Sequence, residues 1–103
     1  MAIRHIVLCK FKPSITADER LAIFADLATL RGHLSGITDM TFGSSVSPEG
    51  LEQGFAHAFV IDFVDAQARD AYLADGKHQQ AGKRLVAALE GGFAGLVVCD
   101  IET

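Results

Sequence analysis

Residues 54–63, Gly-Phe-Ala-His-Ala-Phe-Val-Ile-Asp-Phe, alternate between two sets of side chains. Phe55, His57, Phe59, Ile61 and Phe63 form one set. Ala56, Ala58, Val60 and Asp62 form the other. Such period-two alternation, with aromatic and β-branched residues, predicts a β-strand. Both faces are mostly apolar, one bulky and one small, and the bulky face carries a single histidine. A strand that is apolar on both sides must be covered on both sides. The stretch therefore predicts a central strand with a core against each face, and the rest of the chain has to supply both covers.

The chain has 103 residues, half of them apolar and 21% charged. That suits one compact domain spanning residues 1–103. A net charge of −4, with no cluster of Lys and Arg, argues against a nucleic-acid partner. No apolar run approaches the ~20 residues of a membrane span, and the N-terminus opens directly on a strand pattern rather than a signal peptide. Cys9 and Cys99 both fall in strand-like runs and fit neither a metal knuckle nor a CxxC motif. They are expected to be buried free thiols of a protein in the reducing cytoplasm.

In chain order, residues 3–12 alternate as Ile3, His5, Val7, Cys9 and Phe11 against Arg4, Ile6, Leu8, Lys10 and Lys12, a first strand that Pro13 ends. Thr16 and Glu19 make a capping box for a helix to about Arg31, with Ile23, Leu27, Leu30 and Leu34 as its stripe, widened by Leu21, Phe24 and Ala28. Residues 37–46 read as a mixed edge strand, and Ser47-Pro48-Glu49-Gly50 as a turn. After the central strand, Asp65 caps a short helix over residues 66–74 that carries Tyr72. Asp75-Gly76 interrupts it, His78 begins a second segment to about Glu90, and Gly91-Gly92 stops it. Residues 93–102 read as the last strand.

The order β-α-β-β-α-β, with the second helix broken, is the ferredoxin-like pattern: an α+β fold with a four-stranded antiparallel sheet and helices on one face. The first and third strands are expected to be central, adjacent and parallel, which places His5 and His57 on neighbouring strands and on the same bulky face. With helices on one side only, the other apolar face needs a cover. A second copy, sheet to sheet, supplies it, and a homodimer through the open face is expected.

Several segments resemble the stress-responsive dimeric α/β-barrel (Dabb) domain family. They are Ile3-Arg4-His5-Ile6-Val7-Leu8 with Lys10-Phe11-Lys12, Ser47-Pro48-Glu49-Gly50, Gly54-Phe55-Ala56-His57-Ala58-Phe59-Val60, Arg69-Asp70-Ala71-Tyr72-Leu73, and His78. They fall in order over nearly the whole chain. The resemblance implies a dimeric α/β barrel. One branch of that family consists of heat-stable stress proteins, and another contains a plant polyketide cyclase that works by aldol condensation. By likeness to that cyclase, Tyr72 and His78 would be catalytic, His5 and His57 would line the same cavity, and Asp100 would support the catalytic histidine. Asp75-Gly76 stand where the family often has His-Pro, and Leu27 where the cyclase has tyrosine.

The residues allow that chemistry. A histidine in the first turn of a helix meets the positive end of the helix dipole, which disfavours the imidazolium and preserves a base. Tyr72 could donate a hydrogen bond to a carbonyl oxygen becoming an enolate. Cys9, Phe24, Leu27, Phe59, Leu85 and Leu89 are the expected walls of an apolar slot, suited to a small, partly apolar carbonyl or phenolic ligand. The bland alternatives are that His78 serves the helix end, that Tyr72 only packs, and that His5 and His57 are a structural pair. Three functions are compatible with these residues. The first is a cofactor-independent, cyclase- or isomerase-like enzyme. The second is a non-catalytic ligand-binding or stability protein. The third is a metal-dependent oxygenase using the histidines and Asp100; no metal is expected on the first two.

Overall fold

A computed structural model describes all residues, 1–103. Four strands, β1 (Ile3–Cys9), β2 (Ile37–Ser44), β3 (His57–Phe63) and β4 (Leu96–Glu102), form one sheet in the order β2-β3-β1-β4. Helix α1 (Ala17–Ala28) and the short α2 (Leu30–His33) join β1 to β2. Helices α3 (Ala66–Ala74) and α4 (Gly76–Ala87) join β3 to β4. This is the expected ferredoxin-like, α+β arrangement.

All three strand pairings are antiparallel. The expected parallel pairing of β1 with β3 is therefore wrong. The α1 crossover carries the chain past one strand position, and β3 folds back from β2 into that gap, so it runs against both neighbours. The register decides which side chains can meet. His5 faces Ile61, whereas His57 faces Cys9, at the other end of the strand pair. The two histidines share a face but lie four residues apart along it, about 14 Å at strand spacing.

Parity sorts the side chains as expected. Ile3, His5, Val7 and Cys9 of β1, and Phe59, Ile61 and Phe63 of β3, are buried beneath the helices. Phe24, Leu27 and Leu30 from α1 and α2, Tyr72 from α3, and Ala81, Leu85 and Leu89 from α4 and its end complete that core. Leu21, expected on the buried arc, instead points to solvent at 66% exposure. On the opposite face, Ile6, Leu8 and Val60 are only partly covered, and Val97, Cys99 and Ile101 are exposed. Cys9 is a buried free thiol; Cys99 is free but exposed, contrary to expectation, because its parity puts it on the open face opposite Ile6.

Element ends reflect local chemistry. Both arms of the Thr16–Glu19 capping box form, and the Asp65 side chain accepts from the Ala68 N–H. Asp75 is extended and acts twice. Its backbone N–H bonds the Tyr72 carbonyl to close α3, and its carboxylate accepts from the His78 N–H to open α4. The last strand begins later than expected, because Gly91 and Gly92 both take positive φ and lead into a 3-10 turn over Gly92–Gly95. The first strand ends at Cys9, and Phe11 forms an isolated bridge with Leu89.

Candidate functional site

A cavity of about 730 Å³ opens between the sheet and α3–α4. His5 reaches it from β1, Phe59 from β3, Leu27 from α1, Tyr72 from α3, and His78 and Leu85 from α4. These six were expected to share a site, and the fold brings them together. Cys9 and Leu89 do not line it; both are wholly buried in the core. Burial alone pushes the Cys9 thiol up to about 12, so it is an inert apolar filler.

His57 and Phe24 do not line it either. They lie along a second groove of about 530 Å³ between α1 and β2, with Arg20 and Phe42. A cluster of Phe24, Phe42 and Phe59, with ring centroids 5.2–5.9 Å apart, stands where the groove and the cavity meet. The His57 ring packs edge-on against Phe11 at 5.4 Å. Burial first, and the Arg20 charge second, hold its pKa below the ordinary value.

Within the main cavity, Tyr72 and His78 are in face contact, with ring centroids 3.9 Å apart and planes tilted by 36°. The corner at Asp75 makes this possible. It breaks one helical run into two segments whose side chains converge. Desolvation lowers the His78 pKa first, and the neighbouring His5 lowers it further; the Leu73 carbonyl and Asp75 act the other way without prevailing. The imidazole is thus neutral at neutral pH. Its Nδ1 is buried with no hydrogen-bond partner. Burial raises the Tyr72 pKa, and no hydrogen bond offsets it, so the phenol keeps its proton as a donor.

Asp100 is on the helix side of β4, which parity alone does not decide. It does not support His78. Its Oδ1 lies 2.7 Å from His5 Nδ1, and its Oδ2 accepts from Arg69 Nη1 at 2.9 Å. Burial raises the Asp100 carboxyl, but the Arg69 and His5 hydrogen bonds outweigh it and leave its pKa below the ordinary carboxylate value. Arg69 stands in one of the family-like segments, but nothing local in the sequence joins it to β4 or gives it a role. His33, likewise unremarkable in the sequence, pairs through Nε2 with Asp75 Oδ1 at 2.8 Å and braces the corner. Leu73, Lys83, Val86 and Val98 are further walls absent from the expected set. No three His, Cys, Asp or Glu side chains come together as a group that could hold a metal ion.

The chain is 24% identical over 78 residues to olivetolic acid cyclase of Cannabis sativa, covering 76% of this chain and 77% of that protein. A dimeric ferredoxin-like protein of unknown function from Jannaschia sp. superposes with a TM-score of 0.93 at 29% identity, over 100% of both chains. The hydroxynitrile lyase of Passiflora edulis shares the fold, with a TM-score of 0.86 at 22% identity over 97% of this chain and 91% of the other. No helix is long and apolar enough to cross a membrane. The model of the stress responsive A/B barrel domain family, Dabb, matches residues 3–103, and the chain belongs to that family.

Proposed function

We propose that the chain is a small acid–base catalyst of the cyclase, lyase or isomerase type, acting without a cofactor on a small, partly apolar carbonyl or phenolic compound. The observation that carries this reading is the Tyr72–His78 contact on the wall of a largely apolar cavity. His78, neutral at physiological pH, takes the proton next to a carbonyl. Tyr72 donates to the oxygen as negative charge grows there, in surroundings where such a bond is strong. Aldol closure uses that base and donor directly; in cyanohydrin cleavage His78 would instead take the hydroxyl proton while Tyr72 donates to the departing cyanide, and the names of two relatives, a cyclase and a hydroxynitrile lyase, fit that range.

The working unit in this reading is a homodimer closed through the open sheet face. The unpartnered apolar residues there and the dimeric description of the Jannaschia protein support it. Two free cysteines suit a reducing, cytoplasmic setting. The test is turnover of β-polyketo thioesters, cyanohydrins and β-hydroxyketones by the full chain. On an accepted compound, His78→Ala and Tyr72→Phe should each lower kcat by ~10²–10⁴-fold with the fold intact. Unchanged rates in both variants would refute the assignment.

One observation favours a second reading, a non-catalytic binding or stability protein. A general base is usually oriented by a side-chain partner on its other nitrogen, and no side chain bonds to the buried His78 Nδ1. Native mass spectrometry separates the two. A stoichiometric organic passenger retained equally by His78→Ala, with no turnover of any compound, supports this second reading.

A further inference from the structure

The main cavity is graded from floor to rim. His5, Leu27 and Tyr72 are buried in its floor, whereas Leu73 of α3, Phe93 of the 3-10 turn and Val98 of β4 line it at 46%, 77% and 52% exposure. Those three apolar side chains, from three elements, therefore form its rim. Among the residues that line the cavity, Lys83 of α4 is the only Lys, Arg, Asp or Glu, and it too is exposed. A lysine beside apolar surface lays its aliphatic stem along it and keeps the ammonium in water. The one formal charge of the cavity thus belongs to its rim.

That ammonium has no partner in the chain. All the arginines are engaged, four with carboxylates and Arg20 with the Ile15 carbonyl. Lys12 donates to the Ala87 carbonyl, and Lys10 lies over the Phe55 ring. Acids outnumber Lys and Arg by 13 to 9, yet the residues three and four positions from Lys83 are Gln79, Gln80, Val86 and Ala87, so its helix offers it no ion pair. We propose that Lys83 binds the carboxylate of an apolar ligand, so that the cavity takes amphiphilic monoanions with the apolar body on the floor and the carboxylate at the rim. One ammonium matches one carboxylate. A phosphate dianion calls for more donors, such as an arginine fork, and no arginine lines the cavity. The chain's net charge of −4 works against any anion, so a preference for one has to be local to this side chain. The inference rests on the cavity of the proposed function but not on its chemistry.

The test uses the full-length protein with two probes of equal shape, octanoate and its neutral counterpart octanamide. Calorimetry at neutral pH and low salt should show octanoate binding about threefold more tightly, as an exposed ion pair warrants. The ratio should shrink at high salt, which screens the pair. Lys83→Gln should bring the two affinities together by weakening octanoate alone. Octanamide makes no ion pair and should bind that variant as before, which a merely structural effect would not allow. Lys83→Arg should keep the preference. Lys77, the other lysine without a partner, does not line the cavity. Lys77→Gln should therefore leave the ratio unchanged, which separates a contact at Lys83 from the net charge. Lys83 is exposed on α4, so its variants are expected to fold. Equal affinities in the wild type, a preference that survives Lys83→Gln, one lost equally in Lys77→Gln, or no binding of either probe overturns the proposal. A protein that prefers octanoate through Lys83 but turns nothing over defeats the catalytic reading and keeps this one. An active protein whose ratio is unmoved by Lys83→Gln does the reverse.

Discussion

His78 is poised by opposing influences that an experiment can separate. Its pKa lies below 6.5 because burial and then His5 disfavour the imidazolium. If His78 is the base, the acid limb of kcat/KM should fall below pH 6.5, because the neutral form persists to lower pH than a free imidazole would allow. His5→Leu, which removes the nearby imidazole, should raise the His78 pKa in an NMR titration; a fall would mean that His5 helps the charged form. The same shift has a consequence for stability. The folded pKa lies below the unfolded one, so the contribution is whole above about 6.5 and is lost as pH falls below it. Urea midpoints should drop between pH 7 and 5.5, and the drop should shrink in His78→Gln. At this scale the sequence was informative about which residue types matter and poor about which meet. Tyr72 and His78 were legible because six residues separate them across one helix break. The resemblance assigns Asp100 to the catalytic histidine, whereas in this chain it meets His5, because β1 lies beside β4. His57 is expected in the cavity from its shared face and from the family resemblance, and neither carries the register that sets it at the other end of the strand pair.

Asp75 illustrates how one residue shapes two elements. It ends α3, caps α4, and takes His33 on its remaining oxygen. Hydrogen bonds to the His78 N–H first, and to His33 next, hold its pKa below the ordinary carboxylate value. Asp75→Ala removes an N-cap, which costs about 1 kcal/mol. For a domain of this size that is roughly 4–8 °C in Tm. Asp75→Asn, which can still cap, should lose less, and His33→Ala less again. A differential scanning experiment on the three checks the order; an Asp75→Ala protein as stable as the wild type would show that the corner is held by packing alone. The caps themselves were readable from Thr16, Glu19 and Asp65, because each acts within a few residues of its own position. The late start of β4 was not. The run from Phe93 looks like a strand by composition, but two successive glycines with positive φ turn the chain first. The buried Gly95 is then pressed against the Glu90 and Lys10 carbonyls, leaving no room for a side chain.

At the scale of the whole molecule, the alternation in residues 54–63 made one strong demand, a cover for each face, and a single chain meets half of it. The helices bury Phe59, Ile61 and Phe63, while Ala58 and Val60 remain half-covered beside Ile6 and Leu8. Exposed Val97 and Ile101 extend the same open surface. If a second copy covers it, the unfolding midpoint should rise with protein concentration. Val60→Glu, at the centre of that face, would place an unpaired carboxylate in the interface. Sedimentation should then give a monomer, with the concentration dependence of its melting gone. Cys99 reports on the same event without mutation. It is exposed in the isolated chain but lies opposite Ile6 on the open face, so a thiol reagent should label it slowly in the dimer and quickly once dilution or Val60→Glu separates the copies. Cys9, buried beneath the helices, should stay unlabelled in both states. Labelling of Cys99 that is fast at every concentration would mean that the open face has no such partner, and the demand made by the central strand would have to be met in another way.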